Sequence, residues 1–355
     1  MPGLIHAHVH CYATSVNVHA MDADPPTLRG AYATGALGDM LSRGFTTVRD
    51  VGGADSGLFL ALQRGHIRGP RLLYCGPALS QTGGHGDFRD PLTDAGNRGM
   101  PLCSCPRSGG LCQVVDGEDA VRVAVRENLR RGGSFIKFMG SGGVASTGDK
   151  LECAQFSDAE IRAIVDEVER HGAYCTAHIH PDAALKRAIE LGVHCIEHGS
   201  LIEADTAHLA AERGVSIVPT LAAMATLVSS GAQLGLPAAA IEKLNRIKDD
   251  VTARLEYLRV AGVRIGFGTD LLGPLQSEQC LEWQLRSAVF SNFEMLVQAT
   301  SANAEIVGLK DEIGTVAAGA VADLLVVNGN PLNDISVLMD DGVHITMLIT
   351  GGEIQ

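Results

Sequence analysis

The chain has 355 residues, of which 46% are apolar, and a formal net charge of −13. This length suits one large domain or two small ones, while the negative charge argues against nucleic acid and anionic membranes, which need a basic face. No apolar run approaches the roughly 18 residues of a spanning helix, and no charged leader precedes an apolar core.

The first predicted strand carries a histidine at every second position. Leu4 and Ile5 open an apolar run that continues into His6, His8 and His10. Residues two apart in a strand share a face, so these imidazoles lie on one side, with His6 deepest. Neutral imidazoles at the tip of a strand can bind a metal ion, although a His-x-His pair alone is a weak signal.

The next elements alternate helix and strand before a long irregular segment. Pro25 and Pro26 end the loop 11–27, and Gly44 caps the first helix. The predicted elements are helix Gly30–Arg43, strand Phe45–Val51, helix Ser56–Arg64 and strand Arg71–Cys75. The segment Gly76–Val115 follows, and an irregular loop of about 40 residues is typical of an active-site lid.

Three of the nine cysteines cluster within this irregular segment, at Cys103, Cys105 and Cys112. They could hold a structural zinc, but the cluster lacks a fourth ligand and the usual spacing. We expect free or loosely paired loop thiols. The other cysteines lie mostly on predicted strands, as reduced thiols of a cytosolic protein do.

From residue 118 onward helices and strands alternate evenly. The predicted helices are Glu118–Arg131, one starting at Ser157 with Glu160 completing a capping box, Pro181–Leu191, Ala204–Arg213 and Pro237–Ala261. The strands between them are Ser134–Met139, Ala173–His180, Cys195–His198, Ser216–Leu221 and Arg264–Asp270. Eight strands in this rhythm predict an α/β protein with a parallel (β/α)8 TIM-type barrel.

An open doubly wound sheet is the main structural alternative. It would need a phosphate loop, and the glycine-rich run Gly140–Gly143 has neither Gly-Lys-Ser/Thr nor a dinucleotide fingerprint. After helical segments at 277–289 and 293–307, short β runs at 322–327 and 345–349 predict a small β appendage. We therefore divide the chain into a catalytic barrel, 1–310, and appendage strands, 311–355.

Barrel active sites lie at the C-terminal ends of the strands. Singly, each candidate has an ordinary explanation, since a strand histidine is usually a core residue and Asp270 could cap a helix. Together they predict one site, because chance would not place all of them at the same end. The candidates are His8, His10, Lys137, His178, His198 and Asp270.

The motifs around these residues resemble the amidohydrolase superfamily over nearly the whole chain. They are PGLIHAHVH, IKFMGSGGV, AHIH, IEHGS and FGTD, with LSQTGGH and ADLLVVNGNP outside the candidate set. The nearest branch is that of imidazolonepropionase-related peptidases, which includes Xaa-Pro dipeptidases and zinc carboxypeptidases, with ochratoxin-hydrolysing amidases nearby. The resemblance implies a β-sandwich appendage.

The resemblance also implies a binuclear centre of two divalent metals, with zinc expected. His8, His10 and Asp270 would bind one metal, and His178 and His198 the other. A protonated lysine cannot ligate a cation, so Lys137 would bridge the metals as a carbamate made with carbon dioxide. The metals would activate a shared water, and Asp270 would pass its proton to the leaving amine.

The implied reaction is hydrolysis of the amide bond to a C-terminal amino acid. N-acyl amino acids, dipeptides and aryl amides such as ochratoxin A all satisfy it. We expect His180 and His85 to contact the substrate, although His180 could simply precede a helix and His85 could face solvent. Leu102, Leu111 and Val114, with few charges besides Arg107, favour an apolar acyl group.

Two other functions stay open. A mononuclear deaminase or cyclic-amide hydrolase on the same fold needs no bridging lysine, and a non-catalytic binding protein on a decayed barrel needs no metal. The expected metal content per chain is about two for the binuclear hydrolase, one for the mononuclear enzyme and none for the binding protein.

We expect a cytoplasmic homo-oligomer whose partner is a small-molecule amide or dipeptide.

One departure from the family pattern concerns the N-terminus. Family members have further residues before the His-x-His strand, and these form the first strands of the sandwich. The chain starts at Met1-Pro2-Gly3, so we expect the N-terminal half of the appendage, and any leader, to be missing. The C-terminal strands would then have open edges, which folded proteins normally avoid.

Overall fold

The computed structural model describes residues 1–89, 110–146, 148–248 and 251–355. Within these ranges, parallel strands form two sheets in the order β1-β2-β3 and β5-β4-β6-β7-β8-β9. The strands are β1 (Leu4–Val9), β2 (Phe45–Asp50), β3 (Arg71–Tyr74), β4 (Ala78–Ser80), β5 (Cys112–Val114), β6 (Ile136–Met139), β7 (Cys175–Pro181), β8 (Cys195–Leu201) and β9 (Ser216–Val218).

Backbone hydrogen bonds join the two sheets into a ring. On one side the Ser134 amide donates to the Tyr74 carbonyl at 2.8 Å. Strands β3 and β4 are therefore successive parts of one of the eight strand positions of the barrel, which we call staves. On the other side the segment 264–270 lies between β9 and β1. Its Arg264 carbonyl accepts from Ile217 at 3.0 Å, and its Phe267 carbonyl accepts from Ala7 at 2.8 Å. The predicted (β/α)8 barrel is confirmed.

The eighth stave, residues 264–270, is less regular than predicted. Of the strand expected at 264–270, only a bridge between Ile217 and Ile265 forms. The backbone there is packed very closely against its neighbours: a β-carbon on Gly268 would lie 2.6 Å from Val218 Cγ1 and 2.7 Å from His8 Cβ. Glycine is required at this position because any side chain would collide with β9 and β1.

Helices cover the outside of the barrel, and apolar residues between them and the strands form the main core. They are α1 (Pro26–Ser42), α2 (Ser56–Gln63), α3 (Glu118–Arg130), α4 (Asp158–Arg170), α5 (Asp182–Glu190), α6 (Ala204–Glu212), α7 (Leu221–Ser230), α8 (Ala238–Ile247), α9 (Val251–Ala261), α10 (Leu281–Arg286), α11 (Asn292–Val297) and α12 (Asn303–Ile306). None of the helices in the described ranges has the length and apolar character needed to cross a membrane.

Several predicted boundaries differ from the structure. Helix α1 begins at Pro26 rather than Gly30, since proline is well suited to the first helical turn. The strand predicted for 216–221 ends at Val218, and Leu221 already begins α7. The long helix predicted for 237–261 is α8 and α9, with residues 249–250 between them outside the described ranges. The capping box of Ser157 and Glu160 at α4 is confirmed.

The segment 76–115 is not wholly irregular, because it contains β4 and β5, which pair with each other in parallel. Leu79 in β4 also pairs with Phe138 in β6, so this part of the predicted lid belongs to the barrel wall. Residues 90–109, which include Leu102, Cys103, Cys105 and Arg107, lie outside the described ranges.

The C-terminal residues form a small antiparallel sheet, β10 (Leu324–Val327), β11 (Ile345–Thr350) and β12 (Glu353–Ile354). We predicted that the C-terminal strands have open edges, and this is wrong for β10, whose edge on the side of the barrel is paired. There Pro2 bridges Leu324, and the Leu325 amide donates to the Met1 carbonyl at 3.0 Å. The sheet is thus continuous with the segment that leads into β1, and the division at residue 310 stays a prediction.

Candidate active site

One cavity opens at the C-terminal ends of the barrel strands, where parallel strands present their last side chains. The structure brings all eight predicted site residues to it. The cavity is lined by His8, His10, His85, Lys137, His178, His180, His198 and Asp270. His6 lies deeper in β1, as expected, with its Nε2 3.1 Å from Thr269 Oγ1.

Asp270 lies close to three of these histidines, His8, His10 and His198. Its Oδ1 lies 3.1 Å from His8 Nε2 and 3.2 Å from His10 Nε2. Nitrogen or oxygen atoms of His8, His198 and Asp270 all lie within 4.8 Å of one another, close enough to share one ion. Burial disfavours the Asp270 carboxylate, yet the neighbouring histidines hold its pKa well below the usual range. The carboxylate is therefore ionised.

In three of the histidines, Nδ1 has a hydrogen-bond partner in the barrel wall. The Nδ1 of His8 lies 2.6 Å from Glu197 Oε2, and that of His10 lies 2.9 Å from the Gly52 carbonyl. In His198, Nδ1 lies 2.7 Å from Thr220 Oγ1. Carboxylate and carbonyl oxygens accept only, so Nδ1 of His8 and of His10 carries a proton, and Nε2, which faces Asp270, would be the atom that binds a metal. Metal-binding histidines have this arrangement.

His178 supplies the observation that best matches a metal. Its Nε2 is buried and has no hydrogen-bond partner in the described part of the chain. Burial lowers the pKa of this imidazole well below the usual value, so it is neutral and Nε2 can offer a lone pair. A buried polar atom without a partner is costly, and a cation would satisfy it. The donor set of imidazoles and a carboxylate suits zinc.

Lys137 is buried in β6, and only 2% of its surface is exposed. Burial lowers the pKa of its amine, although the nearby carboxylates of Glu197 and Asp270 oppose that effect. A neutral amine is nucleophilic enough to react with carbon dioxide, whereas an ammonium is not. Lys137 is thus suited to the carbamate that we predict.

Two candidate ligands have an unusual backbone. His198 and Asp270 have φ of 72° and 55°, in the left-handed region that residues other than glycine seldom adopt. Thr220, whose hydroxyl contacts the His198 ring, has φ of 27°. Such conformations cost about 1–3 kcal/mol each and persist where the surroundings enforce them, commonly at functional sites.

A buried ion pair behind His8 was not predicted. Arg49 Nη2 lies 2.6 Å from Glu197 Oε1, and both side chains are fully buried. The Arg49 Nε also donates to the Ala7 carbonyl at 2.6 Å. Burial disfavours the Glu197 carboxylate, but Arg49 and His8 lower its pKa far below the usual range. Charged residues inside apolar strands, in FTTVRD and CIEHG, are the sequence signal that could have revealed them.

Both predicted substrate contacts are buried histidines. The His180 ring stacks on that of His198 with 5.0 Å between centroids, and its Nδ1 lies 3.0 Å from Ser200 Oγ. Burial lowers its pKa to about 3. His85 stacks on His178 at 4.2 Å, and burial lowers its pKa to about 4. The solvent-facing alternative for His85 is therefore wrong.

The remaining cavity wall is largely apolar. Both long loops contribute to it: Val18 comes from the segment 11–27, and Ala78, Phe88, Leu111 and Cys112 come from 76–115. Other parts of the chain add Met139, Val144, Ala145, Ala223, Met224, Leu227, Leu244 and Leu272. Such a wall suits an apolar group.

Two expectations for the segment 76–115 change with the structure. Cys112 is not a loop thiol, because it is buried in β5, where burial raises its pKa to about 12. Val114 is also buried in β5 but is not among the residues that line the cavity.

Comparison with known proteins gives consistent similarities. The sequence matches the amidohydrolase family over residues 1–354. It is 32% identical over 371 residues to the ochratoxinase of Aspergillus niger, across 100% of this chain and 75% of that protein. A prolidase complexed with N-methylphosphonate-L-proline has a TM-score of 0.95 and 43% identity, covering 100% of this chain and 86% of its own. A Xaa-Pro dipeptidase with bound methionine has a TM-score of 0.86 and 28% identity, with the same coverages.

Proposed function

Because the chain belongs to the amidohydrolase family and is a hydrolase of amide bonds, we propose that it cleaves the amide bond to a C-terminal amino acid with two bound metal ions. The observation that carries this proposal is the shared cavity, which all six candidate ligands line and in which the Nε2 of His178 has no hydrogen-bond partner among the described residues. The relatives named ochratoxinase and prolidase support the reaction class.

The six candidates divide into two ligand sets. His8, His10 and Asp270 would hold one metal, while His178 and His198 would hold the other, and the Lys137 carbamate would lie between them. When bound, the metals would polarise the substrate carbonyl and lower the pKa of a water molecule. The contacts of Asp270 with His8 and His10 at 3.1 and 3.2 Å support the first set. Because His198 also lies within 4.8 Å of His8 and Asp270, the two ligand sets would be immediate neighbours.

Asp270 also has the position of a proton carrier. Its carboxylate lines the cavity and is ionised, so it can accept a proton from water and deliver it to the leaving nitrogen. The strained φ of 55° shows that the fold holds this residue in an unfavourable conformation, which supports a functional role.

The substrate is proposed to combine an apolar acyl group with an amino acid that has a free carboxylate. The apolar wall supports the acyl preference. His180, close to His198 and near the mouth of the barrel, would donate to the carbonyl oxygen or carboxylate, and His85 would make a second polar contact. N-acyl amino acids, dipeptides and aryl amides such as ochratoxin A remain the candidates.

Metal content tests the centre directly. Elemental analysis of the purified protein should give two divalent metals per chain, and Lys137→Ala should reduce that number, with partial recovery when a short carboxylic acid replaces the carbamate. The control is Lys150→Ala, which removes an exposed lysine in the segment that follows β6 and should keep both metals. One metal in the wild type would favour the mononuclear deaminase or cyclic-amide hydrolase, and none would favour a binding protein.

Asp270→Asn tests the proton carrier. We expect at least a hundredfold loss of turnover, the lower end of what general acid–base catalysis supplies, with metal retained at the position held by His178 and His198. Metal analysis of the same sample separates loss of the proton carrier from loss of the whole centre. Retention of more than a few per cent of turnover would contradict the role.

A substrate screen tests carboxylate recognition. Acyl-amino acids should be cleaved much better than their C-terminal carboxamides, because only the free acids carry the recognised charge. Equal cleavage of both would make a plain arylamidase the better description.

A homo-oligomer in the cytoplasm also stays a prediction. Sedimentation of the purified protein tests the oligomeric state.

A further inference from the structure

A fully buried ion pair lies in α10, outside the candidate ligand set. Arg286 Nε lies 2.7 Å from Glu282 Oε1, and both side chains are completely buried. Burying two charges carries a large desolvation penalty, and apolar residues of similar volume are often as good for stability. The other hydrogen bonds of these two side chains indicate what the pair does in the fold.

Glu282 caps the helix that follows the turn at Thr220. Helix α7 begins at Leu221, and within the described ranges its N-cap residue, Thr220, provides no side-chain cap. Glu282 Oε2 instead accepts from the Ala222 amide at 2.7 Å, so it satisfies one of the free amides of the first turn. The Thr220 hydroxyl is thereby available to His198, whose Nδ1 lies 2.7 Å from it.

The backbone of Thr220 is in a conformation that its surroundings must enforce. Its φ of 27° and ψ of 59° lie in the left-handed region, which a β-branched residue seldom adopts. The capped first turn of α7 holds it on one side. In that turn the Ala223 amide donates to the Thr269 carbonyl at 3.1 Å. The turn that supports His198 is therefore tied to the stave that ends in Asp270.

Arg286 holds the eighth stave itself. Its Nη2 donates to the Gly266 carbonyl at 2.8 Å, and its Nη1 donates to Gln298 Oε1 at 2.6 Å. The guanidinium also lies over the Phe267 ring, 5.1 Å from its centre. Because the eighth stave is irregular, these contacts restrict its position, and Asp270 closes the same segment.

We propose that Glu282 and Arg286 are positioning residues that set the distance between His198 and Asp270, which belong to the two different predicted ligand sets. The carboxylate acts on His198 through α7 and Thr220, and the guanidinium acts on Asp270 through the eighth stave. His198 Nδ1 lies 3.9 Å from Asp270 Oδ2. This inference rests on the proposed function and deepens it, because metal ligands must be held within about 0.5 Å of their working geometry.

Removing one charge or both separates metal affinity from stability. Glu282→Gln leaves Arg286 buried without a counter-charge, so we expect a lower urea midpoint and, by chelator competition, Zn²⁺ affinity lower by about 10–100-fold. Combining Glu282→Leu with Arg286→Met removes both charges, and the urea midpoint should recover much of the loss. The Zn²⁺ affinity of this double variant should stay low, because the α7 cap and the contact with Gly266 are still missing.

Cobalt substitution reports the arrangement of the ligands. The visible spectrum of bound Co²⁺ should differ from that of the wild type in both Glu282→Gln and the double variant. Asp323→Ala is the matched control, because it removes the partner of Arg71 at the opposite, N-terminal end of the staves. Its urea midpoint should fall, while its Zn²⁺ affinity and cobalt spectrum should stay those of the wild type.

A crystal structure of the metal-free double variant tests the positioning without any metal. We expect the contact between His198 and Thr220 to be lost there and kept in the metal-free wild type. An unchanged contact and an unchanged separation of His198 and Asp270 would overturn the inference. Wild-type Zn²⁺ affinity in Glu282→Gln, or recovery of affinity together with stability in the double variant, would do the same. A wild type that binds no metal would contradict the proposed function, while the two crystal structures would still decide how His198 is held.

Discussion

Glu197 links a candidate metal ligand to the interior of the barrel. Its two oxygens are divided between His8 Nδ1 and Arg49 Nη2, each at 2.6 Å. Neither charge could be buried there alone, because an isolated ion in a low-dielectric interior pays a large desolvation penalty. The two buried charges therefore neutralise each other inside the core, and Glu197 also orients His8, the first histidine of the site.

Glu197→Gln should be strongly destabilising, because it leaves the buried Arg49 guanidinium without a counter-charge. We expect a loss of about 3–5 kcal/mol in the free energy of unfolding of the metal-free protein, measured with urea. Chelator competition should show metal affinity lower by about 10–100-fold. Thr176→Val is the control, since it removes a single hydrogen bond to the same carboxylate and should cost about 1 kcal/mol.

This residue-scale prediction has a clear contradicting result. If Glu197→Gln unfolds within 1 kcal/mol of the control Thr176→Val and binds metal equally well, the ion pair neither stabilises the interior nor orients His8.

At the scale of elements, the eighth stave depends on one side chain from α12. Asn303 Nδ2 donates to the Ile5 carbonyl at 2.6 Å and to the Phe267 carbonyl at 2.9 Å, and its Oδ1 accepts from the Phe267 amide at 3.1 Å. The segment 264–270 has few ladder bonds of its own, so this fully buried amide substitutes for a regular strand. It thereby helps to hold Asp270 beside β1.

Asn303→Ala should leave the Phe267 amide and the Ile5 carbonyl buried without partners. We expect a loss of roughly 3 kcal/mol in the free energy of unfolding, because each unsatisfied buried group costs about 1–3 kcal/mol. Urea unfolding measures it. Asn292→Ala removes an exposed bond to the Leu332 carbonyl and should change stability by less than about 0.5 kcal/mol. Equal effects of the two substitutions would argue against the role of Asn303.

Glu160 caps two helices at once. Its Oε2 accepts from the Ser157 amide at the start of α4, and its Oε1 accepts from the Gly117 amide, which precedes α3. Partial burial opposes ionisation, but these hydrogen bonds lower the pKa of the carboxylate below its usual value. A carboxylate with a lowered folded-state pKa stabilises the fold above the unfolded pKa and loses that effect as pH falls through the folded value.

Glu160→Gln should therefore cost stability in a pH-dependent manner. At pH 7 we expect a loss of about 1 kcal/mol, the usual value of a helix cap, with part of the charge effect screened by solvent. Below the ordinary glutamate pKa of about 4.3 the difference between the two proteins should shrink. Urea unfolding at pH 7 and pH 3 measures it, with Glu353→Gln, an exposed residue of β12, as control. A constant difference would show that the charge contributes nothing.

At the scale of the whole molecule, Asp323 joins the small sheet to the barrel. Its carboxylate accepts from Arg71 Nη1 in β3 at 2.6 Å and from the Gly351 amide at 2.7 Å. The Asp323 carbonyl also accepts from the Gly3 amide at 2.8 Å. One buried residue therefore connects the third stave, the last hairpin and the segment that precedes β1.

Asp323→Ala should loosen the small sheet while the barrel stays folded. We expect a loss of roughly 2–4 kcal/mol in the free energy of unfolding, since a partly buried arginine loses its partner. Hydrogen exchange should become faster for amides of β10 and β11 but not for those of β7 and β8. Asp341→Ala removes an exposed partner of Arg43 and should cost at most about 1 kcal/mol. Faster exchange throughout the barrel would contradict this division.

The sequence by itself determined the barrel and the positions of the eight candidate site residues. Alternation of strands and helices, and histidines at the C-terminal ends of strands, are local patterns, and parallel topology then brings those ends together. His8, His178 and Asp270 could be placed in this manner because each follows directly from where its strand ends.

Only the tertiary structure decided which distant residues pair. Arg49 meets Glu197 across 148 positions, and Lys243 meets Asp149 across 94. The split of the third stave, the irregular eighth one and the pairing of residues 1–3 with β10 were likewise absent from the predicted pattern. Periodicity reports which face of an element is buried, whereas these contacts depend on strand register and on close packing between elements far apart in the chain.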